Sequence, residues 1–337
     1  MRILYCGKLD VGSTSLSRFQ AITELGNHIL PIDVSNYIPK NRLLRGLQSK
    51  QLFSFNIIRL NHDLYTKALL SKPDIIWIDK GTMIKPEVLK KIKEKISVKL
   101  VHHNTDDILN RKHNFSNYFK SINLYDFHFT SNIHNMNELK HITNKDIFFN
   151  DIGYDHNFYK PSSEQPEIEF TSDVLFVGHC EQDYFDSIKD LLGNFDLKIY
   201  GPGWNKVLNK EYKHHHISNG VWGEEYVQCI RKTKIAIGLV SSENRNDTSG
   251  RVFEIPATGT LLIAKRNKVL ENLYVENKEV VFFDTSEELK EKVKYYLLNK
   301  EERNKIAKNG RERCLANKCN WHDRIIEIMH VLKKEIL

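Results

Sequence analysis

The chain has 337 residues, 40% of them apolar and 28% charged, which excludes a disordered or fibrous polypeptide and leaves room for two ordinary domains. Its 50 basic and 43 acidic residues give a mild net charge of +7, and no recognised nucleic-acid-binding motif accompanies it, so nucleic acid is not an expected partner. No run of about eighteen apolar residues occurs, which excludes a membrane-spanning helix.

In chain order, short apolar runs alternate with segments of helical period. A strand over 1–7 leads into a loop from Gly7 to Gly12. Ser15 caps a helix over 16–25 that Gly26 ends. A strand over 28–33, a helix over 60–70 broken by Pro73, and a strand over 75–79 ending at Gly81 follow. Pro86 opens a helix over 87–96. Strands over 99–103, 126–131 and 146–150, with a helix near 136–141, complete the first half. The prolines Pro161 and Pro166 mark a linker at 162–166. Beyond it come strands over 173–178, 197–200, 235–240, 261–264 and 279–283, with helices over 224–232, 286–297, 301–315 and 321–337. The alternation predicts an α/β protein of two Rossmann-like halves, 1–160 and 168–320.

The five cysteines (Cys6, Cys180, Cys229, Cys314, Cys319) are odd in number and scattered, so neither a disulfide framework nor a metal cluster is expected. Free thiols, and a start that lacks a secretory-signal layout, predict residence in the cytoplasm. Lysines gather over 85–99 and 290–308, mixed with glutamates at helical spacing. They read as solvated helix faces, or as a basic patch that visits anionic lipid headgroups.

Ligands of such sheets bind beyond the carboxyl ends of the strands, where the two halves are expected to face a cleft. The Gly7 to Gly12 loop reads as a structural turn or as a backbone approach to an anion. The run His102, His103, Asn104, Thr105, Asp106, Asp107 offers imidazole and carboxylate groups suited to a general base or a sugar-hydroxyl clamp. Metal binding there is disfavoured, because adjacent residues of an extended chain point apart. His214, His215 and His216 read as an exposed polar loop.

The densest signal is the run from Ser249 and Gly250 through Arg251, Glu254, Pro256 and Gly259 to Thr260, just before an apolar strand. Arg251 and Glu254 lie three residues apart, on one helix face. A cation and a carboxylate at the opening of a helix can hold a diphosphate and a sugar hydroxyl. On spacing alone an ordinary surface ion pair fits as well.

The run Arg251-Val-Phe-Glu-Ile-Pro-Ala-Thr-Gly259 resembles the signature of group 1 glycosyltransferases of the GT-B fold, in the spore-maturation-protein-like branch. The stretches 220–226, 235–239, 279–289, 299–303 and 307–310 agree, and the likeness covers roughly 173–323. It implies two facing Rossmann-like domains, with the terminal helix 321–337 crossing back to the N-terminal, acceptor-side one. It also implies a nucleotide-diphosphate sugar, UDP-linked, held by the second domain without a metal. Glu254 would hold the ribose, and Gly178 would let the diphosphate approach the backbone. Val221 and Tyr226 would hold the base. Arg251, with backbone donors near Ser249 and Gly250, would offset charge on the leaving diphosphate. The acceptor would be a glycan or a lipid-linked sugar in surface polysaccharide or glycoconjugate synthesis, reached by peripheral contact at the inner membrane face. One departure stands out: the first glutamate of the family's Glu-x7-Glu pattern falls at Asn246, with Glu243 or Asp247 as substitutes. The stereochemical outcome therefore stays open. For an inverting reaction the candidate bases are Asp106, Asp107 and His103. A sugar-nucleotide epimerase of the same fold and a non-catalytic binding protein are the alternatives.

Overall fold

The computed structural model describes residues 1–49, 54–110, 113–159 and 169–336; the expected linker over 162–166 lies outside them. The chain forms two compact units. One comprises Met1–Asp151, Glu243–Asn246 and Arg324–Leu337; the other comprises Ile152–Ser242 and Asp247–Asp323.

The first unit carries β1 (Arg2–Gly7), α1 (Thr14–Glu24), β2 (His28–Asp33), α2 (Arg42–Ser49), α3 (Phe55–Ser71) and β3 (Ile75–Asp79). It continues with α4 (Pro86–Lys95), β4 (Lys99–Asn104), α5 (Ser116–Ser121), β5 (Phe127–Thr130), α6 (Ile133–Leu139) and β6 (Asp146–Phe149). Its six strands pair in parallel in the order β2-β1-β3-β4-β5-β6. Helices cover both faces, so a central strand such as β3 is buried at every position and reads as a continuous apolar run. One face packs Leu60, Leu64 and Ala68 of α3 with Leu89 and Ile92 of α4. On the other, Ile325, Ile328, Met329 and Leu332 of the terminal helix pack on Ile3, Tyr5 and Trp77.

The second unit carries β7 (Ser172–Val177), α7 (Gln182–Ile188), β8 (Leu197–Tyr200), α8 (Trp204–Val207), β9 (His216–Ser218) and α9 (Gly223–Arg231). Then come β10 (Thr233–Gly238), α10 (Gly250–Thr258), β11 (Leu261–Lys265), α11 (Lys268–Leu273), β12 (Val281–Phe283), α12 (Ser286–Leu298) and α13 (Lys300–Ala316). The last helix, α14 (Trp321–Ile336), begins in this unit and belongs to the first from Arg324 onward. This sheet is also parallel, in the order β12-β11-β10-β7-β8-β9. The doubly wound α/β architecture is the one the strand–helix alternation predicts.

Helix α10 illustrates local chemistry overriding a breaker. Pro256 sits inside it and has no N–H to offer the carbonyl of Val252. The hydroxyl of Tyr274 donates to that carbonyl at 2.9 Å, so no buried acceptor is left unpaired. Gly259 then ends the helix in the left-handed region, at φ 79°.

Five helices, α2, α5, α7, α8 and α11, were not legible from periodicity, because each is under nine residues long. The histidine run departs from the exposed loop predicted for it. His215 is buried, with Nδ1 against the Leu197 carbonyl at 2.9 Å and Nε2 accepting from the Gly193 N–H at 3.2 Å. His216 opens the edge strand β9. All five cysteines carry free thiols. Among the described residues no helix is long and apolar enough to cross a membrane.

Candidate functional site

In the second unit, chemistry gathers where β7 and β10 end and α10 begins. Gly178 directly follows β7, and its carbonyl accepts from the buried indole Nε1 of Trp204 at 2.8 Å. A Cβ at Gly178 would lie 2.9 Å from the Phe176 ring and 3.4 Å from Arg251 Nη1, so only glycine fits without displacing one of them. Arg251 is held rigidly. Its Nη2 donates to the Leu239 carbonyl at 2.9 Å and to the Tyr184 hydroxyl at 3.2 Å. The guanidinium carbon sits 5.8 Å from the Phe176 centroid and 5.7 Å from that of Tyr184, within cation–π range. Its Nε is buried without a protein partner. A positive charge is thus fixed beside a backbone segment kept bare of side chain.

Glu254 bonds elsewhere. Its Oε2 accepts from the Tyr226 hydroxyl at 2.7 Å, and its carboxyl group folds back over Gly250, where a Cβ would come within 3.0 Å of Oε1. Loss of hydration raises its pKa above the ordinary carboxylate value, against the pull of the Tyr226 hydroxyl and Arg251. Arg251 and Glu254 each bond a partner other than one another, so the surface ion-pair reading of their spacing fails. Ser249 makes no side-chain cap; its hydroxyl donates to the Leu239 carbonyl at 3.2 Å instead. The amino end of α10 therefore presents backbone N–H groups and the positive end of the helix dipole. Val221 is buried, and its neighbour Trp222 stands exposed at the start of α9.

Two partners here escaped the sequence reading. Glu181, only 4% exposed, accepts from the Ser241 hydroxyl at 2.8 Å and sits 2.8 Å from His179 Nε2. Tyr184, on the first turns of α7, steadies Arg251. Polar residues packed directly behind Gly178 in a strand-to-helix turn were the available signal.

In the first unit a cavity of about 560 Å³ lies at the strand ends, its wall including Arg18, Asp79, Lys80, His103 and Asp106. Arg18 Nη2 lies 2.5 Å from Asp79 Oδ2, and both side chains are almost wholly buried. Burial alone would raise the Asp79 pKa, but the charge and hydrogen bond of Arg18 outweigh it and hold the carboxyl at about 2. His103 is fully buried, stacked on Trp77 at 5.6 Å and 3.6 Å from Asp79 Oδ1. Burial, reinforced by Arg18, pushes its pKa down to about 3, so the imidazole is neutral. Lys80 adopts φ 63° and Gly81 φ 69°, two consecutive left-handed residues. For lysine that backbone is strained, and strain of this kind concentrates at functional sites. It delivers Lys80 Nζ to Asp106 Oδ2 at 2.5 Å. The early loop proves to be a turn, with Gly12 at φ 79° and Ser13, rather than Ser15, capping α1.

Two of the three expected bases are committed elsewhere. Both oxygens of Asp107 are taken by Arg245, at 2.6 Å and 2.8 Å, and Asn135 donates to it at 2.8 Å. Burial would raise its pKa, but these bonds lower it, which makes Asp107 a poor proton acceptor. The neutral, enclosed imidazole of His103 is a weak base for the same reason in mirror image: burial suppresses its protonated form. Asp106 is itself ion-paired, to the half-exposed Lys80, but at one quarter exposed in the cavity wall it is the most accessible of the three. Asn246, which the sequence resemblance placed at a glutamate position, accepts from Asn132 Nδ2 at 2.8 Å.

Residues 181–330 match the sequence model of the glycosyl transferase-like family. No curated protein is significantly similar in sequence. Among solved structures the chain is similar to sucrose-phosphate synthase from Thermosynechococcus elongatus, at 12% identity and TM-score 0.71, covering 99% of this chain and 98% of that one. It is similar to Anabaena HepE in complex with UDP-glucose, at 12% identity and TM-score 0.67, covering 99% and 100%. It is also similar to T4 phage BGT in complex with its UDP-glucose substrate, at 14% identity and TM-score 0.62, covering 97% and 99%. These likenesses establish the fold, two six-stranded parallel α/β sheets of the GT-B type.

Proposed function

We propose that the protein is a glycosyltransferase that moves a sugar from a nucleotide-diphosphate donor, UDP-linked, to a glycan or lipid-linked acceptor in surface polysaccharide or glycoconjugate synthesis. The observation that carries the reading is the pairing, at the amino end of α10, of a fixed guanidinium against a bare glycine backbone with a carboxyl group held by a tyrosine. Arg251, Glu254 and Tyr226 fall inside the segment that matches the glycosyl transferase-like family, and Gly178 lies just before it. The motif from Arg251 to Gly259 favours the spore-maturation-protein-like branch.

In this reading the donor diphosphate lies against Gly178, within reach of Arg251 and the α10 N–H groups. As the sugar–phosphate bond breaks, negative charge grows on the diphosphate. Arg251 and the helix end are already oriented toward it, so no reorganisation is needed and no metal is required. Glu254 accepts hydrogen bonds donated by the ribose hydroxyls, with Tyr226 fixing its orientation. Val221 and Tyr226 flank the base. The acceptor belongs to the first unit, where Asp106 takes the proton from its hydroxyl and Lys80 steadies the carboxylate. Residence at the cytoplasmic face of a membrane suits a lipid-linked acceptor.

A thermal-shift panel of UDP, UDP-sugars and other nucleotide sugars tests this directly. A ligand at a hundred times its Kd stabilises the native state by about 2.7 kcal/mol. A panel in which no nucleotide diphosphate moves the melting temperature would overturn the reading. Donor consumption without acceptor, analysed for a released epimer, separates transfer from epimerisation.

A further inference from the structure

The net charge of +7 is unevenly spent along the chain. Residues 34–62 hold five basic side chains (Lys40, Arg42, Arg45, Lys50, Arg59) and no aspartate or glutamate. This acid-free stretch includes all of α2 and the first turns of α3. It also holds five large apolar side chains that face water: Leu43, Leu44, Leu47, Phe55 and Ile58, with Leu43 79% and Phe55 69% exposed. On α2, Leu43, Leu44 and Leu47 fall within about 100° of the helix circumference. Arg45 lies outside that arc and is exposed.

A helix on the surface of a soluble unit ordinarily turns its apolar stripe to the core. Here the residue turned inward is polar. Gln48 is buried, and its amide donates to the Tyr37 carbonyl at 2.8 Å and contacts Met83 Sδ at 3.1 Å. Its Oε1 accepts from the Ser54 hydroxyl at 2.8 Å, which ties the end of α2 to the start of α3, where Phe55 and Ile58 emerge one turn apart. The anchoring fixes the leucines outward. An outward apolar stripe with basic flanks and no acidic residue is the composition of a helix that lies in a lipid interface.

We infer that α2 and the first turn of α3 dock this protein on a bilayer surface rich in anionic lipid, the leucines and Phe55 entering the headgroup layer while Lys40 and Arg45 meet the phosphates; Arg59 is engaged by Asp63 and Tyr37. Arg45 and Gln48 also line the cavity that holds Asp106, so the docked helix brings that cavity to the lipid–water boundary. An acceptor carried on a membrane lipid then reaches Asp106 without leaving the bilayer. That last step rests on the transferase reading; the docking itself does not.

The experiment is co-sedimentation of the full chain with vesicles of phosphatidylcholine alone and of phosphatidylcholine with phosphatidylglycerol, without nucleotide sugar or turnover. Binding is expected to the anionic vesicles, to weaken with salt, and to fall at least about tenfold in the Leu43→Ser/Leu47→Ser double variant. Both leucines are exposed, so the variant should melt at the wild-type temperature, which keeps lost binding separate from lost folding. Equal binding to both vesicle types, or a double variant that binds as wild type does, would overturn the proposal. So would a wild-type dimer in light scattering that the double variant converts to a monomer, since the face would then serve a second copy of this chain. Vesicle binding alongside a thermal-shift panel in which no nucleotide sugar moves the melting temperature would leave the docking standing and remove the transferase reading.

Discussion

Lowering the pH from 7.5 to 5.5 should destabilise the first unit sharply, because three of its histidines are buried in neutral form. His102 stacks on Tyr118 at 4.0 Å, His128 sits between the Tyr118 hydroxyl and the Ile122 carbonyl, and His103 stacks on Trp77. Burial is the first cause in each case and brings all three pKa values from 6.5 to about 3. The native state therefore binds no proton at these sites at pH 5.5, whereas the unfolded chain is mostly protonated there. Stability rises with pH wherever the unfolded state binds more protons, so it is fully present above pH 6.5 and is lost as pH falls toward 3. Between pH 7.5 and 5.5 each site costs about 1.4 kcal/mol, and the three together about 4 kcal/mol. At roughly 2–4 °C per kcal/mol for a unit of this size, the melting temperature should fall by about 10 °C. Asp79, at about 2, adds nothing in this window; its stabilisation is lost only as pH falls below about 4 toward 2. Calorimetry across pH, with proton uptake on unfolding measured in buffers of different ionisation enthalpy, gives the answer. His103→Gln should remove about a third of the pH-dependent loss. A melting temperature flat across the range, or uptake well below one proton, would refute the buried-neutral assignment.

The remaining expectations concern the site. Arg251→Ala should lower turnover about a hundredfold, on the scale of a lost preorganised electrostatic stabiliser; wild-type turnover would remove Arg251 from the chemistry. Glu254→Gln should weaken UDP binding about tenfold by calorimetry, and Tyr226→Phe less, since it loosens the carboxyl group without deleting it. Asp106→Asn should cut turnover by at least about a hundredfold with donor KM unchanged. Asp107→Asn should act on stability instead, costing about 2 kcal/mol in denaturant unfolding by depriving Arg245 of its buried carboxylate; a variant melting as wild type does would contradict that role.

Several features were legible in the residues alone. The parallel strands are continuous apolar runs between turn residues, because both of their faces are covered and nothing but apolar side chains tolerates that. The end of the α10 helix announced itself through Gly259, whose backbone preference is local, whereas Pro256 argued against the helix and is accommodated only through Tyr274. Spacing put Arg251 and Glu254 on one helix face, and the resemblance of the surrounding run singled out Gly178 beside them.

Other features depend on contacts that spacing cannot encode. Asp106 and Asp107 are neighbours of one type in sequence. Only the fold gives one to Lys80 in a cavity wall and the other to Arg245, 138 residues away. His103 reads as a base by type and becomes a weak one because burial, a tertiary property, removes the water that would stabilise its charge. The Arg251–Glu254 pair was ambiguous for the same reason. Spacing says that two side chains share a helix face, but not which groups wait opposite them. Leu239, Tyr184 and Tyr226 come from other elements, and they turned a surface ion pair into two separate, oriented groups.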